Sequence, residues 1–252
     1  MPKAGLDAAP ARRARLEPSG VVAIAPRRTR AIAVRWLGWS AAALFVALAV
    51  VAHYVAYFPI DIAVTHALQA YHGRGFELTM IATSWLGFFP QAAVLSGLVT
   101  ITLFAAGLRW EAGSVLFATL GGGLGALVKL AVRRPRPGED LAQVFQHLAS
   151  SGFPSGHVLA TTAFCGFLGF LVLALLAPSA GRTALIVMLA VIIALMGPSR
   201  IYLGQHWFSD VVGGLLLGGV WLALTIRFYR WGEARGFGHR ASARAVAPVG
   251  TA

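Results

Sequence analysis

Six stretches of this chain are long and apolar enough to cross the roughly 30 Å hydrocarbon layer of a bilayer as helices, and this constrains the fold more than any other feature. They run from Trp36 to Phe58, Phe88 to Leu108, Ala112 to Val132, His157 to Ala177, Thr183 to Ser199 and Asp210 to Arg230. Backbone polar groups within lipid must be satisfied inside the segment itself, so the expected fold is all-α, a six-span transmembrane helical bundle. Of the 252 residues, 58% are hydrophobic and 12% charged, which is too apolar for an ordinary soluble domain. Between Pro59 and Gly87, Asp61, Arg74 and Glu77 fall among spaced apolar residues, which predicts short amphipathic helices lying at the interface.

Residues 1–35 are rich in Ala, Pro and Arg without a sustained apolar period and are expected to form a disordered cytoplasmic tail. Residues 36–230 form the membrane domain, and 231–252 a second basic cytoplasmic tail. The first apolar run is too long for a signal-peptide core, so the first span is expected to be retained. The net charge of +12 does not point to nucleic acid, because 13 of the 21 Lys and Arg lie in the tails, before Trp36 and after Thr225. Both termini inside places 15 basic residues on the cytoplasmic side and six outside: Arg74, Lys129, Arg133, Arg134, Arg136 and Arg200. All of these but Arg74 gather where the third and fifth spans exit, so a functional reason for them is expected. The single cysteine, Cys165, excludes an internal disulfide and is expected to pack. Gly121, Gly122, Gly123 and Gly125, and Gly213, Gly214, Gly218 and Gly219, are expected to form helix-packing surfaces.

Three stretches break the apolar pattern: Lys129 to Pro137, Phe153 to His157, and Ser199 to Asp210. Alternation of the spans brings all three to the outer membrane–water interface. One site there could hold Lys129, Arg136, Arg200, Ser155, Gly156, His157, His206 and Asp210. Three fixed cations with a helix N-terminus at Ser155 and Gly156 suit a phosphate dianion. Two imidazoles suit a nucleophile and a general acid. If the stretch is helical, Asp210, four residues after His206, can reach its Nδ1 and leave Nε2 open for attack.

These residues resemble the type 2 phosphatidic acid phosphatase superfamily, related in its core to bacterial acid phosphatases and vanadium haloperoxidases, with the signature KX6RP, PSGH and SRX5HX3D. Lys129, Arg136 and Pro137 fit the first motif. Pro154, Ser155, Gly156 and His157 fit the second, and Ser199, Arg200, His206 and Asp210 the third. The match spans residues 129–210 and agrees with the integral membrane branch. The resemblance implies that His206 attacks phosphorus to form a phosphohistidine, that His157 protonates the leaving oxygen and later activates water, and that Asp210 orients His206. Lys129, Arg136, Arg200, Ser155 and the Gly156 amide would bind the phosphoryl oxygens. It also implies that neither metal nor other cofactor is needed. Independently, Asp210 alone of the nine acidic residues lies in the motifs, too few for a two-metal site.

The expected function is therefore a lipid phosphatase of a cell (inner) membrane, with its site on the periplasmic or extracellular side. It would act on a lipid phosphate or diphosphate monoester: phosphatidic acid, phosphatidylglycerophosphate, an isoprenoid diphosphate or a lipid A phosphate. Its partners would be that substrate and the bilayer, with no nucleic acid; the oligomeric state is left open. The alternatives are a lipid phosphotransferase using the same phosphohistidine, and a non-enzymatic lipid-binding or transport protein. Arg133 and Arg134 fit no motif position and are assigned to headgroup attraction or solvation. His53, His66, His72 and His147 are assigned structural or interfacial roles, His147 lying near enough in sequence to touch substrate. Glu139 and Asp140 read as a solvated turn, and Trp36, Trp39, Trp207 and Tyr229 as interface anchors.

Overall fold

The computed structural model describes residues 27–238; those parts of the two expected tails at 1–26 and 239–252 lie outside the described residues. Nine helices and no strand occur among the described residues: α1 Arg27–Tyr54, α2 Pro59–Gln69, α3 Arg74–Leu86, α4 Phe89–Ala105, α5 Arg109–Thr119, α6 Gly121–Val132, α7 Gly156–Leu175, α8 Ala180–Tyr202 and α9 Phe208–Ala234. The all-α expectation holds. Helix α1 begins at Arg27, inside the segment expected to be an unstructured tail, and α9 runs past the expected boundary at residue 230.

Among the described residues, five segments are long and apolar enough to span a membrane: Trp36–Tyr54, Arg109–Val132, Gly156–Leu175, Ala180–Tyr202 and Phe208–Ala234. The second joins α5 and α6 through Leu120. A sixth span exists only if α3 and α4 are taken together across a 63° bend. The expected second span at Phe88 to Leu108 falls on α4, which reaches across only together with α3. The 17 residues of α4 rise about 26 Å, short of the hydrocarbon thickness. The bend falls at Gly87 and Phe88, just before Pro90, which has no N–H to continue the ladder of α3. Large apolar side chains cover the outside of the bundle, with Leu98 57%, Ile101 67% and Leu130 70% exposed. So large an apolar surface suits lipid and not water.

At the centre, α7 packs on α9 at backbone distance. A Cβ at Gly214 would lie 2.8 Å from the Ser155 carbonyl oxygen, and one at Gly218 would lie 2.9 Å from that of Leu159. Gly121 meets Trp221, Gly125 meets Leu159 and Gly213 meets the Phe153 ring. These five glycines serve as packing surfaces, as expected. Gly122, Gly123 and Gly219 do not, since nothing lies within 4 Å of where their Cβ would be. Trp36 and Trp39 are exposed, but Trp207 and Tyr229 are buried at 1% exposure, so these two are core residues and not interface anchors. Tyr229 joins Val115, Phe167 and Leu171 in one cluster, and its hydroxyl donates to Glu111 Oε1 at 3.2 Å.

Candidate active site

Helix α6 stops at Val132 because Arg133 takes the left-handed conformation (φ 52°, ψ 30°) and Pro135 and Pro137 cannot donate to a further turn. The segment to Ser155 then folds back over the end of the bundle. Gly152 N donates to Arg134 O at 2.8 Å, and Ser155 N to Asp210 O at 2.9 Å, which ties this segment to the start of α9. Helix α2 holds the outer part. Gln69 Nε2 donates to Gln143 O (2.7 Å) and Tyr202 O (2.8 Å), while Gln143 N donates to Gln69 Oε1 (3.0 Å). Backbone bonds thus draw together residues far apart in sequence, as the motif spacing requires.

The three cations arrive on different elements. Lys129, in the last turn of α6, donates from Nζ to Ser151 O (2.5 Å) and Gly152 O (3.2 Å). Arg136 donates from Nε to Ser150 O (2.7 Å), from Nη2 to Ser150 Oγ (3.0 Å) and from Nη1 to Gln205 O. Burial lowers the pKa of Arg136 and the charge of Asp210 opposes this. Arg200, at the end of α8 and fully buried, donates from Nη1 to Ser84 Oγ and lies 5.5 Å over the Phe88 ring. Its Nε and Nη2 have no hydrogen-bond partner among the described residues, nor do Ser155 Oγ or His157 Nε2. Ser155 stands at the N-cap position of α7 without a side-chain capping bond, and Gly156 opens the helix. A Cβ at Gly156 would have Lys129 Cε as its nearest neighbour at 3.9 Å, which sets the first turn of α7 beside the lysine. Buried donors without partners are costly in a core, and several around one point form a cradle for an anion.

His206 lies in the short segment between α8 and α9 and is 1% exposed. Its Nε2 is 3.1 Å from Arg136 Nη1. A guanidinium can only donate, so Nε2 carries the lone pair and the proton sits on Nδ1. Burial first, then the charges of Arg136, Lys129 and Arg200, hold its pKa well below the ordinary 6.5, with the Gly152 carbonyl opposing. The imidazole is therefore neutral at neutral pH.

Two details differ from the sequence reading. The stretch linking His206 to Asp210 is not one helical turn, because α9 starts only at Phe208. Asp210 Oδ2 accepts from Trp207 N at 2.9 Å, and His206 Nδ1 stands 3.5 Å from that oxygen, in ion-pair range but without a hydrogen bond. In addition, Nε2 is covered by Arg136 and is not open.

The sequence reading missed four residues. Arg134, assigned to the surface, is 1% exposed and bridges Asp61 Oδ2 (2.9 Å) and Asp210 Oδ1 (2.7 Å). Asp61, assigned to an interfacial helix, is wholly buried. Ser84 and Phe88 hold Arg200, and the Phe88 ring meets His157 edge-on at 4.9 Å. One signal was available: Asp61 is the sole acidic residue of Pro59–Gln69, a costly choice beside a bilayer without a partner. Arg133 is exposed as expected, its Nε donating to Leu130 O at 3.0 Å. His53 and His66 reach the carbonyls of Val132 (3.1 Å) and Leu141 (2.9 Å), which fits structural roles. His147 instead pairs with Glu139 at 2.8 Å in an exposed contact. A cleft of about 650 Å³ borders Lys129, Arg133, Arg136 and Ser150 together with apolar Ala126, Leu130 and Leu148.

Residues 110–233 match the family model described as the PAP2 superfamily. The chain is 33% identical over 180 residues to the lipid A 1-phosphatase of Rhizobium johnstonii, covering 67% of this chain and 70% of that protein. It is 38% identical over 96 residues to phosphatidylglycerophosphatase B of Bacillus subtilis, but this match spans only 46% of that protein's length. Among solved structures, it superposes on a transmembrane PAP2-type phosphatidylglycerolphosphate phosphatase from Bacillus subtilis with a TM-score of 0.68 at 26% identity, covering 78% of this chain and 97% of the other. The fold also resembles Aquifex aeolicus LpxE, with a TM-score of 0.54 at 18% identity over 68% and 96% of the two chains. The motif residues that converge at one end of this bundle are thus set in a shared sequence and a shared architecture, and this multi-pass helical membrane protein belongs to the PAP2 superfamily.

Proposed function

We propose that this protein is a metal-independent membrane phosphatase that hydrolyses lipid phosphate or diphosphate monoesters through a phosphohistidine at His206. The observation that carries this reading is the 3.1 Å contact between Arg136 Nη1 and a lone-pair Nε2, with the unpartnered polar atoms of Arg200, Ser155 and His157 in the same motif set. A phosphoryl group bound by Arg136 and Arg200 would stand next to the nitrogen that attacks it.

The residues then have distinct roles. His206 Nε2 displaces the ester oxygen, so that the N–P bond forms as the P–O bond to the lipid breaks. His157 delivers a proton to the departing oxygen, then takes one from the water that cleaves the phosphohistidine and frees His206. Lys129, Arg136 and Arg200, with Ser155 Oγ and the Gly156 amide, carry the charge on the phosphoryl oxygens. Asp210 Oδ2 stabilises the Nδ1 proton as the ring gains charge.

The cleft beside Lys129 and Arg136 combines cationic and apolar walls, which suits a ligand with an anionic head and an apolar body. The names of the relatives, a lipid A 1-phosphatase and a phosphatidylglycerophosphatase, support a lipid phosphate as the class. The weight of basic residues in the tails supports cytoplasmic termini, with the site on the opposite face.

The test is release of inorganic phosphate by the purified protein in detergent from phosphatidic acid, phosphatidylglycerophosphate, farnesyl diphosphate and lipid A. At least one is turned over by the wild type and none by His206→Ala. Retained turnover in that variant would remove the mechanism. A chelator leaves the rate unchanged if no metal takes part.

A further inference from the structure

We propose that Arg134 and Asp61 form a positioning pair that aims the Asp210 carboxylate at His206 and keeps that carboxylate from being neutralised; this rests on the reading of His206 as nucleophile. Neither residue belongs to the motifs that define the phosphate cradle.

The geometry is specific. Arg134 Nη1 binds Asp210 Oδ1 at 2.7 Å, which leaves Oδ2 as the oxygen facing His206 Nδ1. Free rotation of the carboxylate would lose that alignment; the bond to Oδ1, together with that from Trp207 N to Oδ2 (2.9 Å), prevents it. The same guanidinium is anchored away from the cradle. Its Nε donates to the carbonyls of Ala56 (3.0 Å) and Val55 (3.2 Å) at the end of α1, and its Nη2 to Asp61 Oδ2 (2.9 Å) on α2. Asp61 in turn fixes the start of α9, accepting from Ser209 N (2.7 Å) and Ser209 Oγ (2.8 Å). Because Arg134 Nη1 donates to Ser209 Oγ at 2.6 Å, the hydroxyl proton must point to Asp61. The segment after α1 and helix α2 thereby fix one carboxylate at the start of α9.

The second acid is what distinguishes this from a simple structural ion pair. Arg134, Asp61 and Asp210 have fully buried side chains, and a lone Arg–Asp pair would be neutral. With Asp61 sharing the guanidinium, the trio keeps a formal charge of −1. That remaining charge can stabilise the Nδ1 proton as the ring becomes cationic, whereas a fully neutralised Asp210 would offer less. Arg134 and Asp61 touch neither the cradle cations nor the phosphoryl position, so their effect belongs in turnover and not in phosphate binding.

The experiment measures kcat and KM on the fastest substrate of the lipid panel, competitive inhibition by inorganic phosphate, and melting temperature in detergent, for Asp61→Asn, Arg134→Lys and Arg134→Gln. The expected result is a fall in kcat of about tenfold for Asp61→Asn and about a hundredfold for Arg134→Gln, by analogy with the loss of partners that orient metal-binding side chains. KM and phosphate inhibition stay within about twofold. Arg134→Lys recovers the melting temperature but not kcat, since one ammonium cannot span two carboxylates. The inference is overturned if kcat stays near wild type in both Asp61→Asn and Arg134→Lys. It is equally overturned if phosphate inhibition weakens in step with kcat, or if none of the variants folds, because each would mark a purely structural network. His206→Ala, assayed alongside, separates the two levels: an inert His206→Ala with active Arg134 and Asp61 variants removes only this inference, and an active His206→Ala removes the nucleophile reading itself.

Discussion

Arg136 Nη1 lies 3.1 Å from His206 Nε2, so the nitrogen proposed to attack phosphorus is already paired with the cation proposed to hold the phosphoryl group. The contact has two consequences: it fixes the neutral tautomer of the ring, and it keeps a positive charge beside it.

The first prediction concerns pH. His206 is held well below 6.5 by burial and by three cations. The unfolded chain takes up the proton near 6.5 while the folded protein resists it, so this residue's contribution to stability is intact above about 6.5 and declines as pH falls below it. Arg136→Gln removes the largest of the three charge effects and raises the His206 pKa toward its ordinary value. Histidine ring-carbon NMR of the two proteins across the acid range measures this. An unchanged titration in the variant would contradict the assigned cause.

Ser84 is the side chain to which Arg200 Nη1 donates, and it comes from α3. Ser84→Ala leaves that guanidinium held chiefly by the Phe88 ring. We expect kcat/KM to fall about tenfold, the loss of one hydrogen bond to a charged group. Steady-state kinetics with Ser84→Thr as a hydroxyl-retaining control decides the matter.

Gly87 has no room for a side chain, because a Cβ there would run into the His157 ring at Cδ2. Gly87→Ala therefore displaces His157. If His157 is the general acid, the loss is about a hundredfold for lipid substrates and much smaller for aryl phosphates, whose leaving oxygen needs no proton. Comparing the two substrate classes tests the role and not merely the packing.

At the α7–α9 contact, Gly218→Ala sets a Cβ 2.9 Å from the Leu159 carbonyl oxygen, whereas Gly219→Ala meets nothing within 4 Å. The expected costs are about 1–3 kcal/mol for the first and close to zero for the second, read from thermal unfolding in detergent.

Much of this protein was legible without coordinates. Bilayer thickness and internal backbone pairing act on each segment separately, so an apolar run declares a helix by itself, and five of the six spans could be placed to within a few residues. Lys129, Arg136, Ser155, His157, Arg200, His206 and Asp210 could be singled out because their types and spacings are conspicuous in an apolar chain.

What only the tertiary structure decided is which way equivalent residues face. Arg133 and Arg134 are adjacent and identical in chemistry, yet one is solvated and the other buried between two carboxylates, because a left-handed residue at 133 turns the chain by an amount no pattern encodes. Asp61 looked interfacial because its partners lie 73 and 148 residues away. The bend at Gly87 and the guanidinium covering Nε2 likewise arise from contacts between distant segments. Burial of a charge is a property of what surrounds it, and the surroundings of Arg134 are assembled from four parts of the chain that meet only on folding.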